Sequence, residues 1–190
     1  MFASTVFAYQ LHKLVAEHLG IRCYDAELIQ KLAAESGFDE NYVKEAGEYT
    51  PGGFLASAFT DRSFGPTNED LLWKLQYRII RELAEKGDCV IVGRCASYIL
   101  RDLENLFNVF IYADTKSRSE RAVQEYHVDE RRVEAMLRKI DKRRETFYSI
   151  NTGGNWYDKD NYDLCLNSGA LGLELCADIV VETAKKTIYR

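Results

Sequence analysis

Apolar residues recur along the chain at two spacings, which predict helices alternating with short strands. At residues 69–86 they lie three or four positions apart, the spacing of one helix face, and Gly87 follows. Residues 89–92 and 108–112 are short, largely apolar runs, which are typical of strands buried on both faces. Such strands between helices predict a parallel sheet in an α/β protein. The other predicted elements are helices at 11–19, 26–36, 39–46, 117–126, 129–148 and 171–183 and strands at 22–24 and 163–166.

Residues 48–68 follow neither spacing. Proline and glycine interrupt regular structure there at 51–53 and again at 65–66. A loop that also carries many large apolar side chains is predicted to be a flap over a site or a contact with a second copy of the chain. These side chains are Phe54, Leu55, Phe59 and Phe64.

Composition narrows the possible classes of function. The chain has 190 residues, of which 46% are hydrophobic, enough for a single domain over 1–190. A net charge of −5 argues against binding to a nucleic-acid polymer, and no apolar stretch reaches the length of a membrane span. The five cysteines have no C-x-x-C spacing, so no zinc or thioredoxin-like motif is predicted. Their odd number, without a signal peptide, predicts a cytoplasmic location.

One candidate binding position follows the first buried strand. Ligands of an open parallel sheet bind beyond the carboxyl ends of its strands, where Gly93 and Arg94 are predicted to lie. Glycine allows another group to approach the backbone, and the planar guanidinium of Arg94 suits a phosphate. Arg94 could equally pair with a surface carboxylate, and its position alone leaves both interpretations open.

Asp25 also stands between a predicted strand and a helix. It could cap that helix, which is the commoner role, or face a ligand at the edge of the sheet. His12, His18 and His127 lie on or near polar helix faces and do not form a metal-ligand set. We therefore predict no metal site built from side chains and no histidine-dependent nucleophile.

A dense run of basic residues at 138–144 is a second candidate. On a helix, Lys139 and Arg143 share one face at i, i+4, and Arg138 and Lys142 share another. A solvated charged face is the ordinary interpretation of such a helix. Partial charge compensation is available from Glu134, Asp141 and Glu145.

The residues after the basic run favour a different interpretation. Two glycines at 153–154 can serve as a hinge, and large aromatic side chains surround them. This combination suits a lid that closes over polyphosphate and excludes water, so residues 129–160 are predicted to form a helical lid. The aromatic residues are Phe147, Tyr148, Trp156 and Tyr157.

Together these segments resemble the cytidylate-kinase-like family, a branch of the nucleoside-monophosphate kinases. The resemblance is collinear from about Leu11 to the C-terminus, which makes it more specific than any one motif. It is carried by residues 19–29, 89–100, 109–113, 141–144 and 161–168.

The resemblance implies a fold, a reaction and roles for single residues. The fold is a three-layer α/β/α P-loop kinase fold with a short parallel sheet and a helical lid. The reaction is transfer of the γ-phosphoryl group of ATP, with Mg²⁺, to a pyrimidine nucleoside monophosphate such as CMP or dCMP. The family's charge-stabilising groups act by position and electrostatics. By resemblance, Asp25 and Arg94 bind the acceptor nucleotide, Arg143 and Arg144 neutralise charge on the transferring group, and Lys139 and Lys142 contribute to ATP binding.

The chain departs from the family pattern near its first residues. The family's glycine-rich phosphate loop, roughly Gly-Ser-Gly-Gly-Arg-Glu, falls on residues 5–10, which contain no glycine. A cradle of backbone N–H groups needs conformations that Val6 and Phe7 adopt poorly. The strand before the loop is therefore expected to be missing or incomplete. The degenerate loop positions are Thr5, Val6, Phe7 and Ala8.

Three explanations are consistent with this departure. The chain is a fragment or misassigned start of a kinase, a relative that has lost ATP binding, or a chain in which residues 2–7 rebuild a partial strand. Three hypotheses about function remain open beside these explanations. The chain is an active kinase, a non-catalytic nucleotide-binding protein, or an interaction protein that uses residues 54–64. A homodimer is compatible with each. Base specificity is expected to depend on residues 48–68.

Overall fold

The structure, a computed structural model, describes residues 2–4, 9–37 and 68–188. The strands in these ranges are β1 (Phe2–Ser4), β2 (Arg22–Tyr24), β3 (Cys89–Ile91), β4 (Val109–Tyr112) and β5 (Leu164–Asn167). The longer helices are α1 (Tyr9–Leu19), α2 (Ala26–Ser36), α3 (Asn68–Glu85), α5 (Thr115–Tyr126), α6 (Val133–Thr152) and α8 (Leu173–Thr187). Between them lie the short helices α4 (Ala96–Ile99) and α7 (Ser168–Leu171) and a 3₁₀ turn at Lys159–Asn161.

The strands of the described part of the chain pair in parallel. β4 lies between β1 and β5, and β2 pairs with β3 in a second ladder. Ile111 of β4 is in register with Ser4 and Leu166, and Ile91 of β3 is in register with Tyr24. Parallel strands joined through helices confirm the predicted α/β class.

Side chains on β3 and β4 alternate between two faces. Val90 belongs to a core on one face, and the next residue, Ile91, belongs to a core on the other. On β4, Val109 and Ile111 lie in the first core, whereas Phe110 lies in a separate aromatic cluster. Helices therefore cover both faces of the strands, which confirms the predicted three-layer arrangement.

The first core joins the strands to α1 and α8. Leu11 and Val15 of α1, four residues apart, are at most 1% exposed. Cys176 and Val180 of α8 have the same spacing and the same burial. Each fully buried aliphatic side chain of this kind contributes about 1.5–3 kcal/mol, so the two apolar stripes hold these helices on one side of the sheet.

The second core places α2, α3 and α4 on the opposite face. Leu28 and Leu32 of α2 and Ile79 and Ile80 of α3 are at most 2% exposed and belong to one cluster with Ile91. The predicted inward face of residues 69–86 is therefore the face that packs. This packing holds α3 beside the carboxyl end of β3.

Helices α5 and α6 pack through a smaller core and an ion pair. Ala122 of α5 packs with Val133 and Leu137 of α6. Arg118 donates two hydrogen bonds to the carboxylate of Asp141, at 2.7 Å and 2.8 Å. The two side chains are only 10% and 18% exposed, so this bidentate pair is largely shielded from water.

Several bounds differ from the predicted ones, and α6 differs at both of its ends. α6 begins at Val133 rather than at 129, because a turn precedes it. In this turn the carboxylate of Asp129 accepts a hydrogen bond from the N–H of Arg131 at 3.0 Å, and the backbone carbonyl of Asp129 accepts one from the N–H of Arg132 at 2.9 Å. It continues to Thr152 and ends at Gly153, whose φ of 72° is left-handed. The first strand is incomplete, as expected, and consists of the three residues of β1 paired with β4.

Some predicted features lie outside the described residues. They are the degenerate loop at 5–8, the predicted helix at 39–46 and residues 48–67 of the predicted flap. Within the described ranges, no helix combines the length and the hydropathy needed to cross a membrane.

Breaking the shielded Arg118–Asp141 pair should destabilise the protein by about 3 kcal/mol, because the remaining charge stays buried without its partner. We expect Arg118→Met to show this loss in urea unfolding. Arg138→Met is the matched control, since Arg138 pairs with Glu134 at 3.3 Å on an exposed surface and should cost no more than about 1 kcal/mol. Adding Asp141→Leu to Arg118→Met should recover most of the loss. Equal losses for the two methionine variants would contradict this account.

Candidate functional site

The carboxyl end of β3 leads into a turn with an unusual backbone. Gly93, Arg94 and Cys95 have φ values of 66°, 56° and 53°, so three consecutive residues are left-handed. This conformation costs each of the two non-glycine residues about 1–2 kcal/mol. The N–H of Ala96 donates to the carbonyl of Gly93 at 3.1 Å, which closes the turn against α4. Strain of this kind collects at functional sites, which supports the predicted importance of Arg94.

A buried amide holds the middle of this turn. The Nε2 of Gln76, on α3, donates a hydrogen bond to the carbonyl of Arg94 at 3.0 Å. Gln76 is 4% exposed. Burial strengthens this hydrogen bond, and losing it would leave a buried polar group unsatisfied.

Asp25 leaves the sheet at the same edge as Arg94. β2 and β3 are in register as far as Tyr24 and Ile91, and the N–H of Val92 donates to the carbonyl of Tyr24 at 3.1 Å. The residues that follow on the two strands are therefore neighbours. Asp25 is half-buried directly before α2, a place that suits both roles considered for it.

An aromatic cluster covers the sheet beside this turn. It contains Cys95, Phe110, Tyr148 and Trp156, with Trp73, Phe147 and Tyr162 packed against it. The ring centroid of Phe110 lies 4.9 Å from that of Tyr162 and 5.5 Å from that of Trp156. The hydroxyl of Tyr162 donates to the carbonyl of Trp156 at 2.7 Å, so the polar end of this ring is satisfied.

Burial in the aromatic cluster keeps its titratable groups neutral. It raises the pKa of the Cys95 thiol to about 12, against a weak opposing effect of Arg94. Burial also raises the pKa values of Tyr148 and Tyr162. Cys95 therefore acts as a small packing side chain and not as a thiolate nucleophile.

The aromatic cluster brings the basic run of α6 to the Arg94 turn. Tyr148, on α6, belongs to the same buried cluster as Cys95, the residue directly after Arg94. Arg143 and Arg144 precede Phe147 and Tyr148 by one helical turn on the same faces. Both arginines are half-buried. Two segments distant in sequence thus contribute to one buried cluster.

Other basic residues of the run lie on the outer side of α6. Lys139 and Lys142 are exposed, and Lys142 donates to Glu145 at 3.0 Å. Arg138 pairs with Glu134 on the same exposed surface. These ion pairs are the charge compensation that the sequence predicted, and they lie on the solvent-exposed face of α6.

His12 lies at the other end of this region, in the first turns of α1. Its side chain is fully buried. Burial, together with nearby positive charges that include Arg144, lowers the pKa of His12 to about 3. The imidazole is therefore neutral near pH 7, and Arg144 acts electrostatically on the helix that follows the degenerate loop.

Sequence reasoning missed three features of the site. Gln76 had a weak signal, because it is an amide on the apolar stripe of α3. Asp141 was predicted to offset cations on its own helix, but it binds Arg118 of α5. The burial of Tyr148 and Cys95 in one cluster had no signal in the pattern of either segment.

The low pKa of His12 predicts a pH-dependent stability. Between about pH 6.5 and about pH 3 the unfolded chain binds a proton that the folded protein does not, so the unfolding free energy falls as pH falls, by up to about 1.4 kcal/mol per unit. Urea unfolding from about pH 7 to about pH 5 should show this slope, and His12→Leu should flatten it. An unchanged slope in His12→Leu would contradict the assignment.

Comparison with known proteins agrees with this geometry. A crystal structure of an uncharacterized protein from Eubacterium ventriosum superposes with a TM-score of 0.73 at 25% sequence identity. The match covers 97% of this chain and 96% of that chain. No curated protein matches the chain. The cytidylate kinase-like family matches residues 7–170. Because this match spans most of the sequence, the chain belongs to the cytidylate kinase-like family.

Proposed function

We propose that the chain binds a pyrimidine nucleoside monophosphate, CMP or dCMP, and phosphorylates it with ATP. Membership of the cytidylate kinase-like family supports a nucleotide-kinase-like function. The acceptor side of the proposed site is the shared edge of β2 and β3, where Asp25 and Arg94 leave the sheet. We propose that residues 1–190 form one domain and that residues 129–160 form its lid.

One observation carries the proposal: Tyr148 of α6 lies in the same buried cluster as Cys95, the residue directly after Arg94. A helix anchored in this way keeps Arg143 and Arg144 on the same side of the sheet as the Arg94 turn. Guanidinium groups from two segments can then act on one ligand. A simple solvated face would need no such anchoring, so the packing favours a lid over an ordinary charged helix.

The proposed roles follow from charge and position. Arg94 binds the acceptor phosphate through its planar fork, and Asp25 contacts the acceptor nucleotide. Arg143 and Arg144 stabilise negative charge that develops during transfer, which needs prepositioned cations more than covalent chemistry. Lys139 and Lys142, on the exposed side of α6, have the weaker proposed role of attracting ATP. Residues 48–68 are proposed to select the base or to contact a second copy.

The donor side favours a second candidate, nucleotide binding without transfer. Thr5, Val6, Phe7 and Ala8 do not match the glycine-rich phosphate loop of the family, because none of them is a glycine and Val6 and Phe7 poorly adopt the backbone conformations that such a loop needs. Within the described residues, no group of three or more His, Cys, Asp and Glu could hold a metal ion. In the kinase proposal, by contrast, ATP supplies the phosphoryl group when it is bound, and Mg²⁺ is expected to bind together with the ATP phosphates.

We also propose that the protein is located in the cytoplasm, which is a reducing compartment. All five cysteines of the sequence fall within the described residues, and no disulfide joins any two of them. Cys95 and Cys176 are buried, and neither has a disulfide partner. Thiols in this state are usual in a reducing compartment.

Removing the Arg94 guanidinium should abolish most of the activity. In an assay coupled to ADP release, with ATP, Mg²⁺ and CMP, dCMP, UMP or AMP, we expect Arg94→Ala to lower kcat/KM about 100-fold or more, as for other prepositioned charge-stabilising donors. Arg101→Ala is the matched control, because the Arg101 guanidinium lies 4.0 Å above the Tyr98 ring, away from the proposed site. It should retain wild-type kcat/KM.

Calorimetry separates the two candidates. CMP binding that Arg94→Ala weakens, without turnover in the coupled assay, would replace the kinase by the non-catalytic candidate. A folded protein that binds none of the four monophosphates would overturn both.

A further inference from the structure

Gln76 interrupts an otherwise apolar face of α3. The buried residues of this helix are Leu72, Gln76, Ile79, Ile80 and Leu83, and Gln76 is the single polar member. A buried amide is unfavourable unless it is hydrogen-bonded. An apolar side chain would serve the core equally well, so the amide needs an explanation beyond packing.

The amide is directed at the strained turn. Gln76 Nε2 donates to the carbonyl of Arg94 at 3.0 Å, a contact between residues 18 positions apart. Arg94 has a φ of 56°, in the left-handed region, and so does Cys95 after it. The hydrogen bond therefore fixes the orientation of a peptide group whose backbone conformation is unfavourable for a residue with a side chain.

We propose that Gln76 is a positioning residue for Arg94, a role that rests on the proposed binding of the acceptor phosphate by Arg94. The left-handed backbone sets the direction in which the Arg94 side chain leaves the turn. Without the amide, the turn can relax toward a right-handed conformation that aims the guanidinium elsewhere. Prepositioning a donor for phosphate increases affinity because less order is lost on binding. Gln76 does not itself touch the ligand in this proposal.

Neighbouring packing makes α3 a firm base for this contact. Ile79 and Ile80, one turn further along the helix, are completely buried. Trp73, one turn earlier, meets Phe147 of α6 with ring centroids 6.2 Å apart. The same helix therefore contacts both the Arg94 turn and the lid segment, so the Gln76 hydrogen bond links two parts that must act together.

The test compares binding of CMP and of cytidine, which lacks the phosphate. Gln76→Met keeps the length of the side chain and removes the donor, and we expect it to weaken CMP binding about tenfold while cytidine affinity changes less than about twofold. Leu72→Met, a substitution one turn away on the same buried face, should leave both affinities near wild type. A purely structural role would weaken both ligands together.

A double variant tests whether Gln76 acts through Arg94. Arg94→Ala with Gln76→Met should bind CMP within about twofold of Arg94→Ala alone, because the amide then has no guanidinium to position. Additive losses would overturn the proposal. A folded Gln76→Met protein with wild-type CMP affinity would overturn it as well.

A second substitution covers the case in which Gln76→Met does not fold. Gln76→Leu also removes the donor and leaves an apolar side chain, and it should cause the same selective loss of CMP binding. Retained CMP affinity in folded Gln76→Leu would contradict the positioning role. If the wild-type protein binds no monophosphate, the proposed function is wrong and the positioning role of Gln76 fails with it. If the wild type binds CMP but the Gln76 variants bind it equally well, only the positioning role is wrong.

Discussion

Burial of Tyr148 and Cys95 in one cluster connects two segments that are distant in the sequence. Tyr148 is 8% exposed and Cys95 is 6% exposed, so separating them would expose an aromatic ring and a strained turn together. Phe110, from the central strand β4, lies in the same cluster and ties both to the sheet. Phe110 meets Trp156 and Tyr162 in this cluster, and aromatic pairs contribute about 0.5–1.5 kcal/mol beyond their buried area. The position of α6 therefore depends on apolar packing as well as on the Arg118–Asp141 ion pair.

The strained turn shows how the fold supports a costly conformation. Gly93 adopts its φ of 66° without penalty, but Arg94 and Cys95 do not. Two hydrogen bonds and burial offset the cost: the Gln76 amide donates to the Arg94 carbonyl, the Ala96 N–H donates to the Gly93 carbonyl, and Cys95 is buried in the aromatic cluster. Several independent interactions therefore hold the strained conformation in place.

The periodic parts of the sequence predicted the fold well. Apolar runs identified β3 and β4, and the spacing at 69–86 identified the buried face of α3, because local pattern alone decides which side of an element packs. The family and the placement of Arg94 at a strand end followed from the same segments. The Gln76–Arg94 and Arg118–Asp141 contacts were missed, because each joins residues whose proximity exists only after folding. Left-handed Arg94 and Cys95 were also unpredictable, since neither is a residue that favours that conformation.

Burial also divides the cations of α6 into two kinds. Arg138 and Lys142 lie on the exposed surface beside Glu134 and Glu145, where water and salt screen their charges. Arg143 and Arg144 are half-buried, where the effective dielectric constant is lower and the same charge acts more strongly on its neighbours. The effect of Arg144 on the pKa of buried His12 is one sign of this difference. An acidic protein with a net charge of −5 thus keeps two cations partly shielded from solvent, which is what the proposed phosphate site requires.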